Sequence, residues 1–310
     1  QNEVYEEVSD LVISALDGYN VCIMAYGQTG SGKTFTMEGT KKSLGINYRA
    51  VKDLFKNITQ RNGTFEYQVA ISMVEIYNEQ IRNLLDPLHS KLEIRDVNQE
   101  KIVIPNLTPC IVNNFEDTVK VINIGKKNRS VGSTNMNEYS SRSHCIVSIS
   151  LHGKNLETHQ ALKGKLCLID LAGSERVSKS EAEGDRLKEA CYINQSLTAL
   201  GKVLNGLLNK ASHIPYRDSK LTHILKDALG QGSKTMVIVQ ASPSAYDLSE
   251  TVSTLQFGTR IKNVETKSGR KSNDRKTRDK TPKRRSVSSS RVNSLSSSLL
   301  TALSDNGTPK

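Results

Sequence analysis

The chain contains no apolar run of about 18 residues, the length that spans a bilayer, and does not open on a charged-then-apolar signal. Both absences predict a protein that does not insert into membranes. Its five cysteines (Cys22, Cys110, Cys145, Cys167 and Cys191) are odd in number, widely spaced and free of any CxxC pair. That spacing argues against a disulfide framework or a zinc site and fits a reducing compartment. No internal repeat stands out, and no sustained heptad pattern follows residue 265.

Acidic residues are scarce at one end only. The net charge of the 310 residues is +11, yet residues 266–310 hold 12 Lys/Arg against 3 Asp/Glu. The first 265 residues are left with 31 basic and 29 acidic side chains, close to neutral. The two stretches therefore read as separate objects. Residues 266–310 combine Ser, Lys and Arg with few aromatic or branched side chains, which predicts a basic, disordered tail. Such a tail attracts polyanions in a salt-sensitive way.

The first 265 residues alternate between helical and strand patterns. Helices are predicted over 6–16, 78–85, 115–129, 192–208, 220–229 and 248–264, with one able to begin at Thr34. Strands are predicted over 21–25, 65–76, 145–152, 165–169 and 236–240, with hairpins within 92–111. In the helix over 192–208, Ile193, Leu197, Leu200, Leu204, Leu207 and Leu208 share one face. This alternation points to an α/β fold around a central sheet.

Residues 27–34 read Gly-Gln-Thr-Gly-Ser-Gly-Lys-Thr and match the phosphate-loop pattern G-x-x-x-x-G-K-[ST]. Glycines allow consecutive N–H groups to curl around a polyphosphate with no Cβ in the way. Lys33 is placed to reach the outer phosphates, and the Thr34 hydroxyl to join a Mg²⁺ shell. Gln28, Thr29, Gly30, Ser31 and Gly32 complete the candidate nucleotide cradle. The preceding apolar run, residues 21–25, suits the buried strand such a loop requires.

Two further segments carry compatible chemistry. Residues 166–173 read as an apolar strand delivering Asp170 at its end, with Gly173 three residues on. An acid there can hold a metal shell, and Gly173 can offer an N–H to a γ-phosphate. Residues 137–144, Asn-Glu-Tyr-Ser-Ser-Arg-Ser-His, pack three hydroxyls, an Arg and a His together. By itself that stretch reads as a polar surface loop. A guanine-reading N-K-x-D is missing, because Asn209-Lys210-Ala211-Ser212 lacks the Asp, which argues against a small GTPase.

Together, G-Q-T-G-S-G-K-T, N-x-x-S-S-R-S-H and D-L-A-G-S-E (residues 170–175) resemble, in order, the three nucleotide motifs of kinesin motor domains. The resemblance covers residues 1–265. It implies a P-loop NTPase motor with a mixed central β-sheet flanked by helices on both faces, using ATP and Mg²⁺. Carried over by position, Thr34 and Ser141 ligate the metal, with Asp170 behind them. Ser140 and Arg142 position the attacking water, Gly173 senses the γ-phosphate, and Arg142 pairs with Glu175 when ATP is bound.

The implied partner is the acidic microtubule surface (tubulin), with no membrane and no specific nucleic acid, in the cytoplasm on the cytoskeleton, including the spindle. Arg217 and Lys220 are the leading candidate contacts, with Lys202 and Lys210 behind them, while Gln195 stands where many relatives carry Lys. Residues 16–23, 45–50 and 260–265 look like the C-terminal-motor branch (kinesin-14), generally minus-end directed. The resemblance also implies strands ahead of Gln1, without which a sheet edge is expected to lie open, and dimerisation only through a coiled coil outside this chain. The competing expectation is a non-motile or truncated microtubule-binding protein that uses its basic tail, with weak or no ATPase. Further behind stands a metabolic or signalling phosphohydrolase.

Overall fold

The structure is a computed structural model that describes residues 1–86, 88, 91–97, 102–131, 140–176, 184–230 and 232–262. The predicted tail (266–310) lies outside the described residues, as do Asn137, Glu138 and Tyr139 of the Ser-rich loop and residues 263–265.

In chain order the elements are α1 (Asn2–Leu16), β1 (Asn20–Gly27), α2 (Lys33–Glu38), α3 (Ile46–Gln60), β2 (Phe65–Tyr77) and β3 (Gln80–Asn83). Four short strands follow: β4 (Lys91–Leu92), β5 (Arg95–Asp96), β6 (Ile102–Val103) and β7 (Cys110–Val112). Then come α4 (Phe115–Val131), β8 (His144–Asn155), β9 (Ala161–Asp170), α5 (Asp185–Leu208), α6 (Lys220–Ile224), α7 (Lys226–Leu229), β10 (Lys234–Gln240) and α8 (Leu248–Lys262).

The main sheet runs β10-β1-β9-β8-β2-β3-β4, with β7 also pairing β2, while β5 and β6 form a separate hairpin. β1 is parallel to both β9 and β10, and the β9–β8–β2–β3–β4 pairings are antiparallel, so the sheet is mixed.

β1 shows why the sheet is covered twice. Successive side chains on a strand point to opposite faces. Val21, Ile23 and Ala25 join one core with residues of α1, α3 and α4, whereas Cys22 and Met24 join a second core. That second core includes Leu197, Leu200 and Leu204 of α5, Leu221 of α6, Leu229 of α7 and Phe257 of α8. Each fully buried leucine contributes about 1.5–3 kcal/mol relative to leaving it in water. The apolar face predicted for α5 is therefore the face that holds it to the sheet.

Three elements differ from expectation. The stretch expected as a helix over 78–85 is a hairpin: Asn78 and Glu79 take left-handed backbone (φ 49° and 55°), forming a two-residue turn between Tyr77 and Gln80. The helix expected over 220–229 is interrupted at Leu225, whose backbone (φ −86°, ψ 0°) ends α6 before α7 begins. Helix α3 was not expected; its buried face (Ile46, Tyr48, Ala50, Val51, Leu54) lies in a stretch where Asn47 is also buried, which blurs the apolar period. Cys22, Cys145 and Cys167 are buried, and all five cysteines are free.

Candidate functional site

The phosphate loop follows β1 directly. Gly27, Gly30 and Gly32 all take positive φ. A Cβ on Gly27 would lie 2.4 Å from the Gln240 carbonyl oxygen, so only glycine fits beside β10. Gly32 precedes α2, which begins at Lys33. The Lys33 ammonium is buried and donates to the Gln28 carbonyl at 2.7 Å, and the Ser31 hydroxyl donates to the same oxygen at 2.8 Å. Burial lowers the Lys33 pKa, with Asp170 and Glu175 opposing that shift.

Strand pairing brings Asp170 to this loop, because β9 runs parallel to β1 with Asp170 opposite Ala25. The Thr34 hydroxyl donates to Asp170 Oδ2 at 2.8 Å. Asp170 Oδ1 is buried without a hydrogen-bond partner among the described residues. Burial raises the Asp170 pKa, against the lowering influence of Arg129, Thr34 and Lys33. A hydroxyl beside an acid with an unpartnered buried oxygen is the donor chemistry that suits Mg²⁺.

The segments after β9 and before β8 are tied together. Gly173 N–H donates to the Ser141 carbonyl at 2.7 Å, and Ser174 N–H donates to the Gly27 carbonyl at 3.1 Å. Lys33, Thr34, Ser141, Asp170, Gly173 and Glu175 are thus brought together beside the phosphate loop.

The expected Arg142–Glu175 pair is not the one this structure makes. Arg142 Nη1 lies 2.8 Å from Glu189 Oε2 on α5. Glu175 instead accepts from the Thr29 N–H (2.9 Å) and the Thr29 hydroxyl (2.6 Å), which supply two donors to its two oxygens. The Gly173 N–H, expected to face a phosphate, is here engaged by Ser141.

Two central residues were not picked out as site residues. Arg129 of α4 is buried and donates to the Ser140 carbonyl (3.2 Å) and the Ser143 carbonyl (3.1 Å). It also lies 3.5 Å from both Glu75 and Asp170. The available signal was spacing: Arg129 falls seven residues after the buried Ile122, on the same inward helix face. His144 opens β8 and is buried between the Ala172 N–H and the Ser196 hydroxyl.

The candidate track residues lie elsewhere. Lys202 of α5 pairs with Asp218 at 3.2 Å, and Arg217 with Asp96 at 2.8 Å. His223 and Lys226 also contact Asp96, and Lys226 foremost holds its carboxyl well below the usual range. Lys220 is half-buried, and its backbone N–H donates to Glu79 at 2.7 Å. Gln195, Thr198, Lys202 and Asp218 line a shallow depression on the outer face of α5.

A mixed sheet with a phosphate loop after its first strand, and an acid ending the neighbouring strand, defines a P-loop NTPase. A sequence profile described as "Kinesin motor domain" matches residues 1–264, and the chain belongs to the kinesin motor family. It is 52% identical over 276 residues to Kinesin-like protein KIN-14R of Arabidopsis thaliana, covering 88% of this chain and 26% of that protein. It is 52% identical over 270 residues to Kinesin-like protein KIN-14Q of Oryza sativa subsp. japonica, covering 86% and 28%. The chain thus spans about a quarter of the length of these relatives.

Among solved structures, a fast kinesin superposes with TM-score 0.81 at 42% identity, over 87% of this chain and 78% of that one. The C-terminal motor and motor homology domain of Kar3Vik1, fused to a synthetic heterodimeric coiled coil, gives TM-score 0.75 at 42% identity, over 83% and 68%. The fold expected from the three motifs is the fold observed, and the branch named in the relatives is the one that residues 16–23 and 45–50 resemble.

Proposed function

We propose that this chain is the catalytic part of a microtubule motor that hydrolyses ATP and belongs with the minus-end-directed kinesins. The observation that carries this reading is the convergence of Thr34, Asp170, Ser141 and Gly173 on the phosphate loop. Lys33 neutralises charge on the outer phosphates, and the loop N–H groups orient them. Thr34 and Ser141 would hold Mg²⁺, with Asp170 behind them, and the ion would supply charge neutralisation to the phosphates.

Ser140 and Arg142 position water, so catalysis consists of placement and charge stabilisation with no covalent intermediate. Exchange of Arg142 from Glu189 to Glu175 is the closing movement of the site. It requires Glu175 to leave Thr29, which frees the loop to face the nucleotide. On the outer surface, Lys202, Arg217 and Lys220 are the cations offered to the acidic track. Residues 1–265 act as the motor domain and residues 266–310 as a basic tail.

Steady-state ATPase measurements against microtubule concentration test this reading. Turnover is expected to rise with microtubules and to fall roughly 10²–10³-fold in Lys33→Ala. A wild-type rate indifferent to microtubules, or co-sedimentation that depends on residues 266–310 and ignores nucleotide, would overturn it in favour of a non-motile binder.

A further inference from the structure

His144 stands where three parts of the molecule meet. It opens β8 and is only 2% exposed. The Ala172 N–H, one residue before Gly173, donates to His144 Nδ1 at 3.0 Å. A backbone amide can only donate, so Nδ1 must carry the lone pair. The neutral ring then has its single proton on Nε2, which faces Ser196 Oγ at 2.7 Å. Ser196 is 1% exposed, and its hydroxyl donates onward to the Ile193 carbonyl at 2.7 Å. Each of the three bonds in this chain has one allowed direction, and each of its hydrogens is used.

The chain runs from the loop that carries Gly173 into the body of α5. Next to Ser196 on that helix, Gln195 and Thr198 face outward with Lys202 around the shallow depression bordered by Asp218. Among the described residues, two other side-chain contacts join α5 to the same loops. The Arg142–Glu189 pair is exposed on the arginine side, with 29% of that side chain accessible, while Glu189 is buried. The Asn194 amide reaches the Glu175 carbonyl at 3.3 Å but also serves Ala190 of its own helix. The His144 chain has no water to fall back on, so breaking it leaves buried polar groups unpaired. Burial, reinforced by the charges of Arg129 and Lys33, keeps the imidazole neutral and its tautomer single.

We infer that His144 is a positioning residue that, with Ser196, ties the γ-phosphate-sensing loop to α5, so that movement of Ala172–Gly173 reaches the outward face of that helix. This inference rests on the motor reading above. It adds that the coupling passes through one imidazole and one hydroxyl, not through the Arg142–Glu189 ion pair.

The test is microtubule-stimulated ATPase of the full chain for wild type, Ser196→Ala, His144→Asn and the double variant. Asparagine keeps an acceptor near the Nδ1 position and loses the donor to Ser196. Ser196→Ala is expected to lower the stimulated kcat about tenfold, while turnover without microtubules stays within about twofold, as loss of one buried hydrogen bond in the coupling path predicts. His144→Asn should lower the stimulated kcat comparably, and the double variant should be no worse than either single one, as residues in one shared chain require.

If wild type is stimulated and Ser196→Ala is stimulated equally, the tie is disproved and the motor reading survives. If basal and stimulated rates fall in parallel, or the two losses multiply, His144 and Ser196 serve stability alone and the inference is also disproved. A wild type that microtubules do not stimulate removes the motor reading and this inference with it.

Discussion

At the nucleotide end, Lys33, Glu75, Arg129 and Asp170 are between 2% and 7% exposed. On the outer side of α5 and the turn before α6, the side chains of Lys202, Asp218 and Arg217 are 61%, 39% and 74% exposed. The residue types are the same and the physics is opposite. A buried charge that loses its partner has nowhere to go. An exposed pair exchanges its partner for water, or for another carboxylate, at little cost. Rigid geometry is thereby concentrated around the phosphate loop, and exchangeable pairing on the outer side of α5.

The largest expected effect breaks the buried set. Arg129→Met removes the cation from between Glu75 and Asp170 and should destabilise the fold by about 3–5 kcal/mol, read by denaturant unfolding. A loss below about 1 kcal/mol would mean that this cluster behaves like the surface pairs. Next in size, Lys33→Ala should lower kcat by roughly 10²–10³-fold, as removal of one preorganised charge or donor predicts. Its unfolding midpoint should fall less than that of Arg129→Met, because the Lys33 ammonium bonds a loop carbonyl whereas Arg129 lies between two buried acids.

The third expectation concerns pH. The His144 pKa is lowered to about 3, first by burial and then by Arg129 and Lys33. As pH falls below the ordinary value of about 6.5, the unfolded chain takes up a proton that the folded chain refuses. Stability should therefore decline between those two values, by at most roughly 1.4 kcal/mol per pH unit from this group. Unfolding curves at about pH 7 and about pH 5 should show a shallower decline for His144→Asn than for wild type. Equal slopes would assign the acid sensitivity to other groups. The smallest effect belongs to the surface: Lys202→Ala should change stability by less than about 1 kcal/mol and leave nucleotide affinity unaltered, while weakening microtubule association in a salt-dependent way.

The same contrast decides what could be read from sequence. The phosphate loop, Asp170 and Gly173 were readable because their chemistry imposes residue types at fixed spacing, and strand pairing then had only to bring the segments together. β1 and α5 were readable from their apolar runs. Arg129 was not, because a lone arginine on a helix looks solvent-facing until the turn count from Ile122 places it inside. The β2–β3 hairpin was misread because Asn78-Glu79 lacks the glycine that usually marks such a turn. The partners of Arg142 and Glu175 could not be read at all, since a carboxylate's choice among Thr29, Arg142 and other donors depends on distances that motifs do not encode.

The ring of Tyr26 stacks on that of Phe257 with centroids 3.8 Å apart and planes 14° from parallel. Tyr26 immediately precedes Gly27, the first residue of the phosphate loop, and Phe257 lies five residues before the end of α8. The C-terminal half of α8 is thereby joined by an aromatic contact to a residue one peptide bond from the loop. Phe257→Ala, read in an optical trap through a handle attached beyond residue 262, would show whether load alters nucleotide release through that joint; an unchanged load dependence would exclude it. Mechanically, Phe257 of α8 rests against the residue that immediately precedes the phosphate loop.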